Sequence, residues 1–190
     1  MFAARIARAI QNLKTVDDSD YSIAVHAAGE LLFSAFSNGN KLLVFGNGGS
    51  AADAQHICCE LTGRFSFDRK PLSAIALTAD SAFLTAWTND CGYDEIFARQ
   101  IEAHGRAGDV TWGISTSGNS KNVVVGLKKA KEMGLKTIGL TGQGGGAAAE
   151  YCDVLLAVPL GQTPEIQEIH MLTYHVLCGE LEQRMFGARV

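Results

Sequence analysis

The sequence predicts an α/β protein, a three-layer sandwich in which helices cover both faces of a five-stranded parallel sheet. Five short, nearly continuous apolar segments end in turn residues, as expected for strands that are buried on both faces. Helical patterns separate most of these segments, and the repetition of strand and helix is typical of parallel sheets. The strands are expected at 41–46, 72–78, 109–115, 136–142 and 153–159.

Helical periodicity occurs both before the first strand and between the strands. The expected helices are 2–13, 22–37, 51–62, 83–87, 95–103, 122–133, a short one near Ala147, and 165–185. We expect a single domain over 1–190, with N-terminal helices at 1–40 and an α/β core at 41–190. The sheet does not need the helices before Lys41, which are therefore free to cover a subunit contact.

Composition excludes several classes of protein. With 190 residues and 47% hydrophobic content, the chain can bury the core of one domain. Its net charge of -4, with 16 Lys and Arg residues spread along the chain, offers no basic stripe, so we expect no nucleic-acid ligand. No apolar run approaches the roughly 20 residues of a membrane span. The five cysteines are irregularly spaced, which indicates reduced thiols and a cytoplasmic protein.

The glycine-rich loop after the first strand, GNGGSA at 46–51, fits the relaxed dinucleotide pattern G-x-G-x-x-G/A. A nicotinamide enzyme would also need an acidic residue about 20 positions further on, whereas Asp80 follows roughly 30 positions later. The loop is equally compatible with a tight turn between strand and helix that needs glycine for its backbone angles. Both interpretations stay open on the sequence, with the nicotinamide enzyme ranked lower.

The loop after the third strand, STSGNS at 115–120, carries four hydroxyl groups in six residues and precedes a helix. Backbone N–H groups, hydroxyl donors and the positive end of the helix dipole together favour binding of a phosphate monoester. The alternative is helix capping, which needs only one hydroxyl, such as that of Ser120. Because capping leaves the other hydroxyls unexplained, the pattern favours a small phosphorylated ligand.

Two further segments place polar side chains at helical spacing. His56 and Glu60 are four residues apart, so both project from one face of the helix at 51–62, within reach of one metal ion or one substrate. The C-terminal helix carries Gln167, His170 and His175 within an otherwise apolar pattern. Buried polar groups are costly without partners, so the two helices are expected to supply partners to each other or across a subunit contact.

The chain from about Leu42 to Leu181 resembles the sugar isomerase (SIS) domain family, and within it the phosphoheptose isomerases. The segments that carry the resemblance are GNGGSAADAQHICCELTGR, TNDCGYDEIFARQIEA, GDVTWGISTSGNSKNVV, LTGQGGG and IQEIHMLTYH. The resemblance implies a flavodoxin-like parallel sheet and a homotetramer with active sites at subunit interfaces. It also implies Zn²⁺ held by His56, Glu60, Gln167 and His175, with Glu60 as catalytic base and His175 as catalytic acid.

The same resemblance assigns the substrate and the residues that bind it. The implied reaction converts sedoheptulose 7-phosphate to D-glycero-D-manno-heptose 7-phosphate through an enediol, at the start of bacterial ADP- or GDP-heptose synthesis for glycans such as lipopolysaccharide. The alternative is a non-catalytic scaffold of the same family that binds the replication initiator; such relatives lack the acid and base found here. The implied substrate-binding residues are Asn47, Gly48, Gly49, Ser50, Glu60, Asp90, Ser115, Thr116, Ser117, Ser120 and Gln167.

Overall fold

The computed structural model of the protein describes residues 1–187, so the last three residues of the predicted domain, 188–190, lie outside the described residues. Its center is a five-stranded sheet in which each pair of neighbouring strands is parallel, in the order β2-β1-β3-β4-β5. This confirms the predicted fold class and the flavodoxin-like strand order. The strands are β1 (Leu42–Gly46), β2 (Ala74–Ala76), β3 (Val110–Ser115), β4 (Lys136–Thr141) and β5 (Val154–Ala157).

The helices follow the predicted order and extend a few residues beyond most of the predicted limits. Within residues 1–187 they are α1 (Phe2–Asp17), α2 (Tyr21–Ser37), α3 (Gly49–Thr62), α4 (Ser81–Cys91), α5 (Ile96–His104), α6 (Lys121–Glu132) and α7 (Thr163–Phe186), with a 3₁₀ helix at Gly146–Tyr151. No helix in this range is both long enough and apolar enough to cross a membrane.

The strand β1 shows how the sheet separates two cores. Leu42 and Val44 point into a cluster with α2, α3 and α7, whereas Leu43 and Phe45 point into a cluster with α5 and α6. Successive side chains of a strand face opposite sides, so a run that is apolar throughout serves both cores. The helices that follow β1 and β3 thus lie on opposite faces. In this topology, ligands bind in the crevice between those two strands at their carboxyl ends.

The edge strand β2 is the main difference from the predicted boundaries, because it has three residues where seven were expected. Strand β1 is its one neighbour in the sheet, and the two strands pair at three residues. The flanking Leu72 and Leu77 are buried all the same, and each donates its backbone N–H to a neighbouring segment. Short edge strands limit the backbone available for unwanted pairing with another chain.

The two N-terminal helices differ in how they pack. Helix α2 contacts α7 and β5, and its Ala28 and Leu32 are fully buried. Helix α1 contributes little to the core and leaves its larger apolar side chains exposed. Those side chains are Phe2, Ile6, Ile10 and Leu13. Helix α7 also exposes apolar side chains, at Met171, Leu172 and Val176.

Candidate active site

The glycine loop after β1 is a close-packed turn. Gly48 has a φ of 55°, and a Cβ atom on Gly46 would lie 2.8 Å from the backbone oxygen of Ile114 in β3. A Cβ atom on Gly49 would lie 2.5 Å from Nε2 of Gln167, so a larger residue there would displace that amide from the start of α3. Asp80 accepts the backbone N–H of Phe83 and caps α4. These contacts support the structural interpretation of the loop over the nicotinamide one.

Asparagine side chains connect the loop after β1 with the helix after β3. Nδ2 of Asn47 donates to Oδ1 of Asn122 at 2.8 Å, and Nδ2 of Asn122 donates back to Oδ1 of Asn47 at 2.9 Å. The Tyr93 hydroxyl also donates to Oδ1 of Asn47, at 2.9 Å. The reciprocal pair closes one side of the crevice between β1 and β3. Asn122 and Tyr93 were not among the predicted site residues.

The hydroxyl loop, residues 115–120, gathers its serines around one point. Oγ of Ser115 lies 3.0 Å from Oγ of Ser120 and 3.5 Å from Oγ of Ser117. Ser120 occupies the N-cap position of α6, yet within residues 1–187 its side chain makes no capping hydrogen bond. Helix capping therefore does not account for this serine. The cluster of hydroxyls at the start of α6 has the donors that a phosphate group requires.

The loop after β4 supports the hydroxyl loop from behind. Gly118 has a φ of 66°, and a Cβ atom there would lie 2.0 Å from the backbone oxygen of Gly145. The backbone oxygen of Gly118 accepts the N–H of Ala148 at 2.9 Å. Oδ1 of Asn119 accepts the backbone N–H of Ala147, also at 2.9 Å. The backbone oxygen of Thr116, itself half-buried, accepts a further N–H from this loop. The glycines after β4 thus fix the shape of the hydroxyl loop.

Helix α3 presents the predicted metal pair as a direct contact. Nε2 of His56 lies 3.0 Å from Oε1 of Glu60, and the two side chains are 38% and 20% exposed. The contact follows from the four-residue spacing, which places the two side chains one turn apart on the same face. His56 lies two helical turns, about 10 Å, from Gly49 at the start of α3. The pair is therefore displaced from the glycine loop along the helix.

Helix α7 brings His175 beside this pair in the same chain. The ring centroids of His56 and His175 are 5.1 Å apart with an edge-to-face arrangement, and the ring centroid of Phe65 lies 5.8 Å from that of His175. The predicted base and the predicted acid thus come from helices that are remote in sequence but adjacent in the fold. We call His56, Glu60 and His175 the α3–α7 site.

A buried ion pair anchors the segment after α3 and holds Phe65 in place. The carboxylate of Glu182 accepts the backbone N–H groups of Phe65 and Ser66 at 2.8 and 2.6 Å and pairs with Nε of Arg69 at 3.1 Å. Burial opposes the ionisation of Glu182, but these donors keep its pKa below the ordinary value. Arg69 also donates to the backbone oxygen of Glu60 at 2.7 Å. The end of α3 is therefore fixed to α7.

Two predicted residues lie apart from the α3–α7 site. The Gln167 amide packs on Gly49, and eight residues of helix separate it from His175 by about 12 Å along the axis. Asp90 is exposed on α4, where it accepts a hydrogen bond from the Asn89 amide. The position of Gln167 agrees with a contact to substrate near the glycine loop; the four-ligand zinc set stays a prediction.

Two buried residues behind His56 were not predicted. The Tyr174 hydroxyl lies 2.9 Å from Nδ1 of His56 and donates to Oδ1 of Asp53 at 3.3 Å. Burial raises the pKa of Tyr174 far above its usual value, and the charge of Asp53 adds to this effect. Burial also raises the pKa of Asp53, against the influence of the Tyr174 hydrogen bond. Asp53 precedes His56 by three residues, which was the sequence signal for their proximity.

The donor set of the α3–α7 site suits a zinc ion. Two ligands of one tetrahedral zinc ion are separated by about 3.3 Å when each is 2.0–2.1 Å from the metal, and the His56 and Glu60 atoms are 3.0 Å apart. The imidazole of His175 packs beside them, but within residues 1–187 the ligand atoms of these three residues do not all lie within 4.8 Å of one another, so His175 would have to turn toward the pair to become a third ligand. Imidazole and carboxylate groups are both common zinc ligands.

A second group of possible ligands lies elsewhere on the surface. Within residues 1–187, His26, Glu30 and Glu180 are the one set of three His, Cys, Asp or Glu side chains whose ligand atoms all lie within 4.8 Å of one another. Arg184 donates to Glu30 at 2.6 Å and to Glu180 at 3.2 Å. The guanidinium group already compensates these carboxylates, so the group is a surface ion-pair network.

Comparison with known proteins gives one consistent family. The family model described as "SIS domain" matches residues 3–142. A phosphoheptose isomerase of Synechocystis is 49% identical over 97% of this chain and 95% of its own, and that of Geotalea daltonii is 55% identical over 90% and 88%.

A solved phosphoheptose isomerase from Neisseria gonorrhoeae superposes with a TM-score of 0.90 at 43% identity and covers 96% of this chain and 97% of its own. Nothing in these comparisons supports the scaffold alternative. The chain belongs to the SIS domain family and, within it, to the phosphoheptose isomerases.

Proposed function

We propose that this chain isomerises sedoheptulose 7-phosphate to D-glycero-D-manno-heptose 7-phosphate at the start of bacterial heptose synthesis. The observation that carries the proposal is the meeting of Glu60 and His175 around His56 on two packed helices. A carboxylate and an imidazole are the groups that an aldose–ketose isomerase needs for proton transfer. The relatives named as phosphoheptose isomerases, about half identical in sequence, support the same substrate.

The hydroxyl loop is proposed to hold the 7-phosphate. The Ser115, Ser117 and Ser120 hydroxyls converge at the positive end of α6, where hydrogen bonds to a dianion are strongest. Asn47, Ser50 and Gln167 border the adjacent glycine loop, where they are suited to the sugar hydroxyls. Asp90 and Thr116 complete the proposed substrate contacts.

Proton transfer is assigned to the α3–α7 site. The Glu60 carboxylate removes a proton from C1 of the open-chain ketose, and the electron pair left behind forms the C1–C2 double bond of the enediol. His175 donates a proton to the oxygen on C2 and accepts the proton from the oxygen on C1. Glu60 then returns its proton to C2, which leaves an aldehyde at C1. Both residues end in their starting protonation states.

Zn²⁺ is the proposed cofactor, with His56, Glu60 and His175 as ligands and Gln167 as the fourth predicted one. When bound, the ion supplies positive charge that polarises the substrate carbonyl. Glu60 and His175 serve as base and acid only when they are not fully committed to the metal, because a tightly bound carboxylate is a weaker base and a histidine that ligates zinc has given up the proton it would donate. His56 serves as a ligand alone in this scheme.

A cytoplasmic homotetramer with active sites shared between subunits is proposed as the working assembly. The apolar side chains exposed on α1 and α7 support an assembly in which a second copy covers them. A groove of about 540 Å³ lies between α1, α2 and α7, lined by residues such as Leu13, Val25 and Leu172. The five unpaired cysteines are consistent with a reducing compartment. A monomeric mass in solution with full activity would contradict the assembly.

The test of the proposed function is a coupled assay that measures the heptose 7-phosphate formed from sedoheptulose 7-phosphate. The purified protein is assayed as isolated, after chelation, and after zinc is restored. We expect turnover that is lost on chelation and recovered with zinc. Absence of turnover in zinc-loaded, folded protein would reject the assigned reaction.

A further inference from the structure

The buried pair of Asp53 and Tyr174 stands directly behind the nitrogen of His56 that faces away from Glu60. Tyr174 is fully buried and Asp53 is 9% exposed. The Tyr174 hydroxyl joins Oδ1 of Asp53 to Nδ1 of His56 at 3.3 and 2.9 Å. Within residues 1–187, Tyr174 is the one side chain that donates a hydrogen bond to the Asp53 carboxylate.

The Tyr174 hydroxyl has one proton, so it can donate to Asp53 or to His56 but not to both. The direction in which it donates can therefore be deduced. If the proton points to Nδ1 of His56, the buried Asp53 carboxylate loses its donor, which costs about 1–3 kcal/mol or more for a charged group. If the proton points to Asp53, the hydroxyl oxygen accepts a hydrogen bond from Nδ1–H of His56. The second arrangement satisfies all three groups, so the tyrosine proton lies toward Asp53.

This direction determines what His56 presents to Glu60. With one proton fixed on Nδ1, a neutral imidazole turns an unprotonated Nε2 toward Oε1 of Glu60 at 3.0 Å. Two acceptors at that distance repel each other unless a cation lies between them. A second proton on the imidazole can supply that charge, and a divalent metal ion can take its place.

We propose that Tyr174, held by Asp53, is a positioning residue that keeps the proton of His56 on Nδ1 and so presents Nε2 toward Glu60 as a ligand for a divalent cation. The inference deepens the proposed function, on whose metal site it rests. Hydrogen-bonded groups behind a ligating histidine commonly fix its tautomer and orientation. Here the group in contact with the histidine is a tyrosine hydroxyl, and the carboxylate acts through it.

The first test needs no metal. Histidine labelled with ¹⁵N reports by NMR which ring nitrogen carries a proton, and the His56 signals are assigned by their loss in His56→Gln. In the metal-free parent at pH 8, we expect Nδ1 to be protonated. In Tyr174→Phe, we expect a neutral form with the proton on Nε2 to appear, because Glu60 then offers the better acceptor. A parent with a bare Nδ1 would overturn the inference.

The second test measures zinc affinity by competition with a chelator, with Tyr21→Phe as the matched control. Tyr21 is also buried and its hydroxyl bonds Thr173, the neighbour of Tyr174 on α7, at 3.0 Å. We expect Tyr174→Phe to weaken zinc binding about tenfold or more, and Tyr21→Phe to leave it within threefold of the parent. Asp53→Asn, which keeps an acceptor without the charge, is expected to fall between them.

The two tests separate failure of this inference from failure of the proposed metal site. If Tyr174→Phe binds zinc as tightly as the parent, the tyrosine does not position the ligand and the inference is wrong. If the parent binds no zinc at all, the metal site itself fails, and the NMR measurement on metal-free protein still decides whether Tyr174 fixes the proton on His56.

Discussion

The hydroxyl loop and the α3–α7 site are both polar, but the chain builds them in different ways. The hydroxyl loop is six consecutive residues between β3 and α6, shaped by its own backbone and by the glycines after β4. The α3–α7 site joins residues that are more than 100 positions apart, and a buried Asp53–Tyr174 pair and a buried Arg69–Glu182 pair hold it in place.

The difference follows from what each region has to do. A phosphate is bound by donors that one helix start and its preceding loop can supply. Proton transfer needs an acid and a base on different sides of the same carbon atoms, and these are most precisely held by packed helices. We therefore expect changes in the hydroxyl loop to affect binding and changes in the α3–α7 site to affect turnover.

Removing the base is the largest predicted effect. Glu60→Gln keeps the size of the side chain but removes the carboxylate beside His56. We expect kcat to fall by about 10² to 10⁴, the range for loss of a general base, with little change in the dissociation constant of sedoheptulose 7-phosphate. Steady-state kinetics and calorimetric titration measure the two quantities.

The matched control for this change is Glu30→Gln. Glu30 also follows a histidine, His26, by four residues, and its Oε1 lies 3.9 Å from Nε2 of that histidine. Unlike the pair of Glu60 and His56, this pair is exposed, on α2. The control should keep the activity of the parent. Turnover of Glu60→Gln within tenfold of the parent would remove Glu60 from the role of base.

A buried histidine links the two regions and predicts a pH dependence of stability. Nε2 of His170 on α7 bonds the backbone oxygen of Thr141, whose β3 partner is Ser115. Burial lowers the pKa of His170 to about 4, and the bond to Thr141 opposes this only in part. Because the unfolded chain binds the proton near pH 6.5 and the folded chain only near pH 4, stability should fall by about 3 kcal/mol between those values.

Chemical denaturation from pH 7 to pH 4 measures this loss, and His170→Asn provides the comparison. The amide keeps a donor for the Thr141 oxygen but cannot take up a proton in this range. We expect the variant to lose less stability on acidification than the parent. Parallel pH curves for the two proteins would show that His170 is not buried in its neutral form.

The smallest predicted effect separates phosphate binding from helix capping. Ser120→Ala should weaken binding of sedoheptulose 7-phosphate about tenfold, in line with loss of one hydrogen bond to a charged group, while the unfolding free energy barely changes. Replacing Ser115 and Ser117 as well should weaken binding further. If instead Ser120→Ala lowers stability by about 1 kcal/mol and leaves binding unchanged, the serine is a helix cap.

Most of the fold was predictable because parallel strands buried on both faces leave continuous apolar segments, as β1, β3 and β4 do. Strand β2 was overestimated, since an apolar stretch can be buried without pairing. Leu72 and Leu77 fill the core beside an edge strand that pairs at only three residues. Burial and strand pairing have the same sequence pattern there, so pattern alone could not separate them.

The candidate site was predictable where it is local. The serines of the hydroxyl loop and the spacing of His56 and Glu60 are visible in the sequence, and the roles of His175 and Gln167 were implied only by the family resemblance. Tyr174 could not be found in this way, because an aromatic residue in an apolar helix has the same pattern as any core residue. Its role depends on how α3 and α7 pack side by side.

Exchange of the C1 proton of sedoheptulose 7-phosphate in D₂O tests most directly whether the hydroxyl loop binds the substrate and the α3–α7 site transfers the proton. NMR follows loss of the C1 proton signal with the parent, with Glu60→Gln, and with the Ser115, Ser117 and Ser120 triple alanine variant. We predict exchange with the parent, exchange with the serine variant once substrate is raised toward saturation, and exchange slowed by about 10² or more with Glu60→Gln. Exchange by Glu60→Gln at the rate of the parent would contradict the account, because the proton would then leave C1 without the carboxylate on α3.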